Sequence, residues 1–212
     1  AELLAPARLK ELADRIDPTK AQSFDAGIPK PGGTILLCTA DAEGRCVSLI
    51  QSNYTGFGSG VVIPGWGVAM QNRGACFHLA AGHPNQIGPD KRPYHTIIPG
   101  LLLRDGALAG PFGVMGGFIQ AQAHVQLVSG LVDRGLDPQA ALDQSRFRVE
   151  DDTVWLEEGL WPRAAELEQA GHKVALDEQT YPFGGGQAIL VNDEGTLVGG
   201  SDPRKDGYAA GF

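Results

Sequence analysis

The junction Pro31-Gly32-Gly33-Thr34 constrains this chain more than any other four residues. Ahead of it lies a polar stretch with three prolines between Pro18 and Pro31. Behind it comes Thr34-Ile35-Leu36-Leu37-Cys38-Thr39-Ala40, an apolar, β-branched run that reads as a core strand. If the Gly33–Thr34 bond were cut, Thr34 would gain a free α-amine with an ordinary pKa of about 7.7–8.0 beside its own hydroxyl. Base and nucleophile would then sit on one residue. The uncut alternative is a Gly-Gly loop that leads into a strand whose first residue is threonine. These residues alone leave both readings open.

Length and charge narrow the options further. A chain of 212 residues can bury one substantial core. Its 30 glycines are about twice the usual share of ~7%, which points to many tight turns and close backbone approaches. The net charge is −8 and no basic cluster exceeds two adjacent residues, so neither nucleic acid nor an anionic membrane is expected as a partner. No apolar run approaches the ~18 residues of a membrane span. Cys38, Cys46 and Cys76 are odd in number and lack metal spacing, and His78, His83, His124 and His172 are scattered, so no metal or cofactor is expected. Reduced cysteines and the lack of a secretory pattern at the start suggest a cytoplasmic location. The first residue is not Met, which marks the chain as processed or as a fragment.

The periodicity alternates between strands and helices. Residues 6–16 read as a short amphipathic helix with Pro6 in its first turn, closed by Asp17-Pro18. Residues 19–33 read as a linker. Strands are expected at 34–40 and 45–52 around an Asp41-Ala42-Glu43-Gly44 turn, then at 60–63, 67–71 and 97–103, with a second turn at Arg104-Asp105-Gly106. A helix is expected over 118–134, with Ala121, Val125, Val128 and Val132 on one face and Ile119 and Leu131 beside it. Asp137-Pro138 opens a short helix, and Trp161–Ala170 forms another that Gly171 ends. Strands at 173–176, 186–192 and 196–200 finish the chain. Strand pairs, then helices, then strands again give an α+β layering.

Four segments occur in a fixed order behind the Gly-Thr junction: Phe57-Gly58-Ser59-Gly60, Gly88-Pro89-Asp90-Lys91-Arg92-Pro93, Gly113-Val114-Met115-Gly116-Gly117 and Ser201-Asp202-Pro203-Arg204. In that order they resemble the catalytic half of the γ-glutamyltransferase family of N-terminal nucleophile hydrolases. The phrasing Gln51-Ser52-Asn53-Tyr54 and His95-Thr96-Ile97-Ile98-Pro99 is closer to the family's amidohydrolase branch, which includes oxamate amidohydrolase, than to its glutathione-cleaving members. The resemblance implies a four-layer αββα sandwich. It makes residues 1–33 the tail of a large-subunit portion and residues 34–212 the catalytic small-subunit portion. It implies cleavage between Gly33 and Thr34 and a heterodimer of processed subunits, the large one from the same precursor, with higher assembly open.

The same resemblance assigns roles. Thr34 is the nucleophile, and Ser52 matches a threonine that hydrogen-bonds it. Gly116 and Gly117 form the oxyanion hole, and their position at a helix N-terminus suits anion stabilisation independently. Among the substrate-binding positions this chain departs from the pattern. Cys76 stands where the γ-glutamyl enzymes keep an acidic residue for the substrate ammonium, and Arg73 stands in place of a glutamine. Tyr54 replaces an asparagine, with Asn53 next to it, and His95 and Thr96 replace paired serines. An arginine without the acidic partner suits a small carboxylate-bearing amide of oxamate type, hydrolysed through an acyl-enzyme. The alternatives are a true γ-glutamyl hydrolase or transferase, and a binding or scaffold domain that performs no catalysis.

Overall fold

The computed structural model describes residues 5–14, 17, 19–20 and 34–212. Gly33 and most of the expected linker lie outside them. In chain order the elements are α1 (Pro6–Asp14), β1 (Thr34–Ala40), β2 (Cys46–Ser52), β3 (Val62–Ile63) and β4 (Val68–Ala69). Next come β5 (Gly100–Arg104), β6 (Ala107–Met115), α2 (Ile119–Val132) and α3 (Pro138–Asp143). β7 (Phe147–Glu150), β8 (Thr153–Leu156), α4 (Ala164–Gln169), β9 (Lys173–Leu176), β10 (Gly185–Val191) and β11 (Leu197–Ser201) complete the series. They group into two compact units, Pro29–Arg146 with Gln179–Phe212, and Ala1–Ile28 with Phe147–Glu178.

The larger unit is layered. Its central sheet is antiparallel in the order β11-β10-β6-β5. Strand periodicity sends alternate residues to opposite faces. On one face Phe112, Val114 and Ala188 pack against Ala123, Leu127, Leu131, Ala141 and Leu142 of α2 and α3. On the other face Gly113 lies flush against Leu36, where an added Cβ would come within 3.0 Å of Leu36 Cδ1. The β1–β2 hairpin therefore forms a second sheet layer on β6 and β10, tied down where Ser48 Oγ donates to the carbonyl of Phe112 at 2.9 Å. The result is hairpin, sheet, helices. The hairpin's outward residues Ile35, Leu37, Val47 and Leu49 form an exposed apolar face that no described residue covers.

The smaller unit carries the three-stranded sheet β7-β8-β9, antiparallel between β7 and β8 and parallel between β8 and β9. Val154, Leu156 and Ala164 form its core, with Leu160, Leu167 and Val174 against them. The β7–β8 hairpin is absent from the sequence-based expectations. Its signal was the Asp151-Asp152 pair, whose φ values of 49° and 59° make a two-residue hairpin turn that aspartate tolerates. The expected 161–170 helix is divided, with a 3₁₀ turn over Glu158–Arg163 preceding α4.

Two expectations need correction. The strand expected at 97–103 begins only at Gly100, and it pairs with β6, a strand over Ala107–Met115 that the sequence reading does not include. The expected buried face of α2 is also wrong. Val125 and Val132 are 70% and 58% exposed, while Ala123 and Leu127 are 0% and 1% exposed. The helix is apolar around most of its girth, so the 3.6-residue period does not choose which stripe meets the sheet. The α3 start holds as expected, with Asp137 Oδ1 accepting from Ala140 N–H at 2.9 Å.

Leu127→Ala should destabilise this chain by about 2–5 kcal/mol, because a well-packed site cannot fully collapse around the lost atoms. Val125→Ala should stay within roughly 0.5 kcal/mol. Chemical denaturation of the two variants checks the face assignment, and equal losses would refute it.

Candidate active site

Strand register builds the centre of the site. Thr34 opens β1, Ser52 closes β2, and the hairpin sets them directly opposite each other. Their hydroxyl oxygens are hydrogen-bonded at 2.9 Å, with Thr34 only 9% exposed. Ser52 Oγ also accepts from Arg73 Nη2 at 3.0 Å and from the backbone N–H of Tyr54 at 2.9 Å. A hydroxyl oxygen has two lone pairs, and an N–H can only donate. Arg73 and Tyr54 thus fill both acceptor positions of Ser52, and its own proton is left to point at Thr34 Oγ1. Ser52 is the donor in that bond. Thr34 keeps its proton free for a base, and any negative charge that grows on Thr34 Oγ1 meets a hydrogen-bond donor polarised by a guanidinium.

Arg73 is the next shell outward. It opens a 3₁₀ turn over Arg73–Cys76. The turn is held from both sides: Asn72 N–H donates to the carbonyl of Asn53 at 3.1 Å, and Asn72 Nδ2 donates to Thr55 Oγ1 at 2.5 Å. Upstream, Gly58 at φ 71° lies against Met70, where a Cβ would fall 2.2 Å from the Met70 carbonyl oxygen. The Phe57-Gly58-Ser59-Gly60 motif thereby has a structural reason, since only glycine lets this loop seat the segment that carries Arg73.

The guanidinium is buried at 4% exposure. Its Nη1 donates to Thr96 Oγ1 at 2.7 Å, and its carbon lies 5.0 Å from the centroid of the Tyr54 ring. No carboxylate among the described residues pairs with it. Tyr54, at φ 77° and 4% exposure, is the aromatic floor. Its hydroxyl, beside the weak thiol of Cys76, meets no well-formed hydrogen-bond partner, and burial followed by Cys76 pushes the phenol above its ordinary range. The cluster therefore offers a buried cation one serine away from the Thr34 hydroxyl, and an unused O–H donor on the ring packed against that cation.

The remaining expected residues fall in two groups. Thr96 joins the cluster through Arg73, whereas His95 beside it is exposed, with Nδ1 accepting from Ile97 N–H at 3.1 Å. Partial desolvation of the ring, then the Arg73 and Arg92 charges, hold this imidazole below its usual pKa. Asn53 meets the cluster through its backbone, and Tyr54 is the side chain that enters it. Gly116 and Gly117, at φ 146° and 73°, make the turn from β6 into α2 as expected. Phe118 follows them and stacks on Tyr94 with ring centroids 5.3 Å apart. Two positions before the turn, at Val114, the backbone N–H donates to His124 Nε2 at 2.9 Å, and burial lowers the His124 pKa to about 4. That imidazole is a neutral acceptor bracing β6, with no role as a base. Among the described residues no His, Cys, Asp or Glu cluster has metal-ligating geometry, and no helix is long and apolar enough to cross a membrane.

The gamma-glutamyltranspeptidase family model matches residues 1–212. The chain belongs to that family. It is 36% identical to the oxamate amidohydrolase proenzyme of Klebsiella pneumoniae, across 100% of this chain and 41% of that protein. It is also 36% identical to the glutathione hydrolase-like YwrD proenzyme of Bacillus subtilis, across 87% of this chain and 37% of that protein. Cephalosporin acylase from Bacillus halodurans superposes with a TM-score of 0.89 at 44% identity, over 99% of this chain and 39% of that one. The chain thus spans about two fifths of the length of these relatives. Its fold is the N-terminal nucleophile hydrolase fold of the family, α+β.

The residues that the structure gathers around Thr34 are all ones the sequence reading names, but their wiring is not read from sequence. The sequence reading also left out the segment that backs the glycine turn, although Phe183-Gly184-Gly185-Gly186 was a visible sign of close backbone packing.

Ser52→Ala should lower kcat for amide cleavage by ~10²–10³, the usual cost of removing one donor to developing negative charge. Ser52→Thr should restore most of it because the hydroxyl survives. Steady-state kinetics on the full-length protein check this, and an unchanged kcat in the alanine variant would contradict the wiring.

Proposed function

We propose that this chain is the catalytic part of an autoprocessing N-terminal-threonine amidohydrolase that cleaves a small, carboxylate-bearing amide of oxamate type. The observation that carries the reading is the buried Arg73 guanidinium, unpaired with any carboxylate among the described residues and one serine away from Thr34. Burying an unpaired cation costs several kcal/mol, and a substrate carboxylate would offset that cost. Only two of its five N–H donors are spent on Ser52 and Thr96, so a planar carboxylate can still be gripped.

The relatives' names as proenzymes support maturation by cleavage at Gly33–Thr34. A γ-glutamyltranspeptidase chain from Pseudomonas nitroreducens is matched over 98% of its own length by 84% of this chain. Residues 34–212, being 179 of 212, are about that share of the sequence. This extent supports residues 34–212 as a separate subunit, paired with a large subunit from the same precursor. The exposed apolar face of the β1–β2 hairpin is where such a partner portion would bury surface.

The chemistry follows from the wiring. In the precursor the Thr34 hydroxyl attacks the Gly33 carbonyl, the peptide becomes an ester, and water hydrolyses it. The freed α-amine then takes the Thr34 hydroxyl proton as Oγ1 attacks the substrate amide carbon. The oxyanion is met by backbone N–H groups of the Gly116-Gly117 turn. Collapse breaks the C–N bond, and the α-ammonium returns its proton to the leaving amine, which departs as ammonia from a primary amide. Water, deprotonated by the same α-amine, attacks the acyl ester and releases the acid. Cys76 in place of a carboxylate removes that partner for a substrate ammonium, which disfavours γ-glutamyl substrates.

Thr34→Ala should abolish turnover, and Thr34→Ser should keep part of it. Arg73→Gln should lower kcat/KM for a carboxylate-bearing small amide by roughly 10- to 150-fold, the worth of one hydrogen bond to a charged group at ~1.5–3 kcal/mol. An uncharged amide should lose clearly less, since it gives up only the polarisation of Ser52 by Arg73 and no substrate contact. Equal losses on both substrates would remove Arg73 from substrate recognition, and efficient γ-glutamyl cleavage without activity on oxamate-like acids would overturn the substrate class.

A further inference from the structure

The Ser201-Asp202-Pro203-Arg204 motif has no part in the chemistry above, yet it holds the most deeply buried ion pair of the described residues. Asp202 is 1% exposed and Arg146 is 2% exposed, with Arg146 Nη2 donating to Asp202 Oδ2 at 2.6 Å. The carboxylate is fully engaged. Oδ2 also accepts from Gly186 N–H at 2.9 Å, and Oδ1 accepts from Arg204 N–H at 3.0 Å and Arg204 Nη1 at 3.1 Å. Asp202 N–H in turn donates to the Gly186 carbonyl at 3.0 Å. On the other side, Arg146 Nη1 donates to the carbonyl of Phe183 at 3.1 Å. The pair thus grips the chain just before and just after Gly184.

Gly184 is what the Gly116-Gly117 turn rests on. A Cβ on Gly116 would fall 2.9 Å from Gly184 Cα, and a Cβ on Gly184 would fall 2.7 Å from the Met115 carbonyl oxygen. Ile119 Cγ2 closes the contact, 2.7 Å from the Gly116 Cβ position and 3.4 Å from that of Gly184. Both glycines have positive φ, 146° and 80°, so the two backbones touch with no side chain between them. Next to them β10 pairs with β6, Gly185 opposite Met115 and Gly186 opposite Val114. A shift of Gly184 must pass directly into Gly116, because interiors this densely packed have no slack to absorb it.

We propose that Asp202 and Arg146 are positioning residues for the oxyanion turn. They clamp Phe183 and Gly186 so that Gly184 holds Gly116 and Gly117 with their N–H groups aimed at the reacting carbonyl. Neither residue touches substrate. The inference rests on the reading of Thr34 as nucleophile and of the glycine pair as oxyanion hole. A charge pair so costly to bury is a poor device for stability alone, since an apolar pair of similar volume often serves as well. Here it supplies directed bonds to two backbone groups that an apolar pair cannot make.

The test uses the full-length protein with Asp202→Asn, Arg146→Lys and Gly184→Ala, and Leu127→Ala as a control that loosens the core away from the turn. Each variant is assayed for kcat, KM and Tm on a carboxylate-bearing small amide, alongside Thr34→Ala. Asp202→Asn faces a bonded N–H with an amide NH₂ or loses a charge-assisted bond. Arg146→Lys keeps the charge on Asp202 but cannot also reach Phe183. Gly184→Ala pushes on Met115. All three should lower kcat ~10- to 100-fold with KM within about twofold, because small misplacement of a reacting geometry costs on that order. Leu127→Ala should lower Tm with kcat unchanged. If Asp202→Asn does not fold, Arg146→Lys and Gly184→Ala carry the same expectation. Loss of kcat no greater than in Leu127→Ala at matched Tm, or a change in KM alone, overturns the positioning role while leaving the nucleophile reading intact. A Thr34→Ala variant that still turns over fails the nucleophile reading itself, and the positioning role falls with it.

Discussion

Everything at the site depends on the acceptor capacity of one oxygen, Ser52 Oγ. Two N–H donors, from Arg73 and from the Tyr54 backbone, fill its lone pairs and fix where its proton goes. That single constraint orients the Thr34 hydroxyl, links the buried guanidinium to Thr34 Oγ1 and explains why Tyr54 occupies the left-handed region. At φ 77° its N–H turns back onto Ser52 while its ring slides beneath Arg73. Strain of this kind in a non-glycine residue is kept where the surroundings determine it several times over, and functional sites are where it gathers.

The layers serve that arrangement. Register in the β1–β2 hairpin places Thr34 and Ser52 opposite each other, and a one-residue slip would turn both away. Gly113 and Leu36 let the hairpin lie close on β6, and β6 runs straight on into the glycine turn. Thr34 and the Gly116-Gly117 turn thus belong to two sheets in direct contact, and the neutral His124 holds the end of β6 from the helix side. Rigid sheet edges, rather than a loop alone, set the geometry on which covalent catalysis depends.

Part of this was legible in the sequence. The strand start at Thr34, the strand alternation over 34–52 and the capped start of α3 are local signals, and local physics decides them. The buried face of α2 was not, because a helix apolar on most sides leaves the choice to whichever stripe the sheet fills. The site residues were found through family resemblance, and composition and spacing would not have separated Arg73 from any loop arginine. What neither route shows is that Arg73 is buried against hydroxyls and an aromatic ring without a carboxylate, since that depends on three segments brought together across more than forty residues of chain. The same holds for Asp202 and Arg146, which are 56 residues apart in sequence and 2.6 Å apart in space.

The most direct measurement is an intact-mass spectrum of the full-length protein, taken before and after mixing with a slowly hydrolysed carboxylate-bearing amide. The account requires two pieces, one of them beginning at Thr34, and an added acyl mass that peptide mapping places on the Thr34 hydroxyl. A single uncut chain that turns over the amide without acquiring that mass would contradict it.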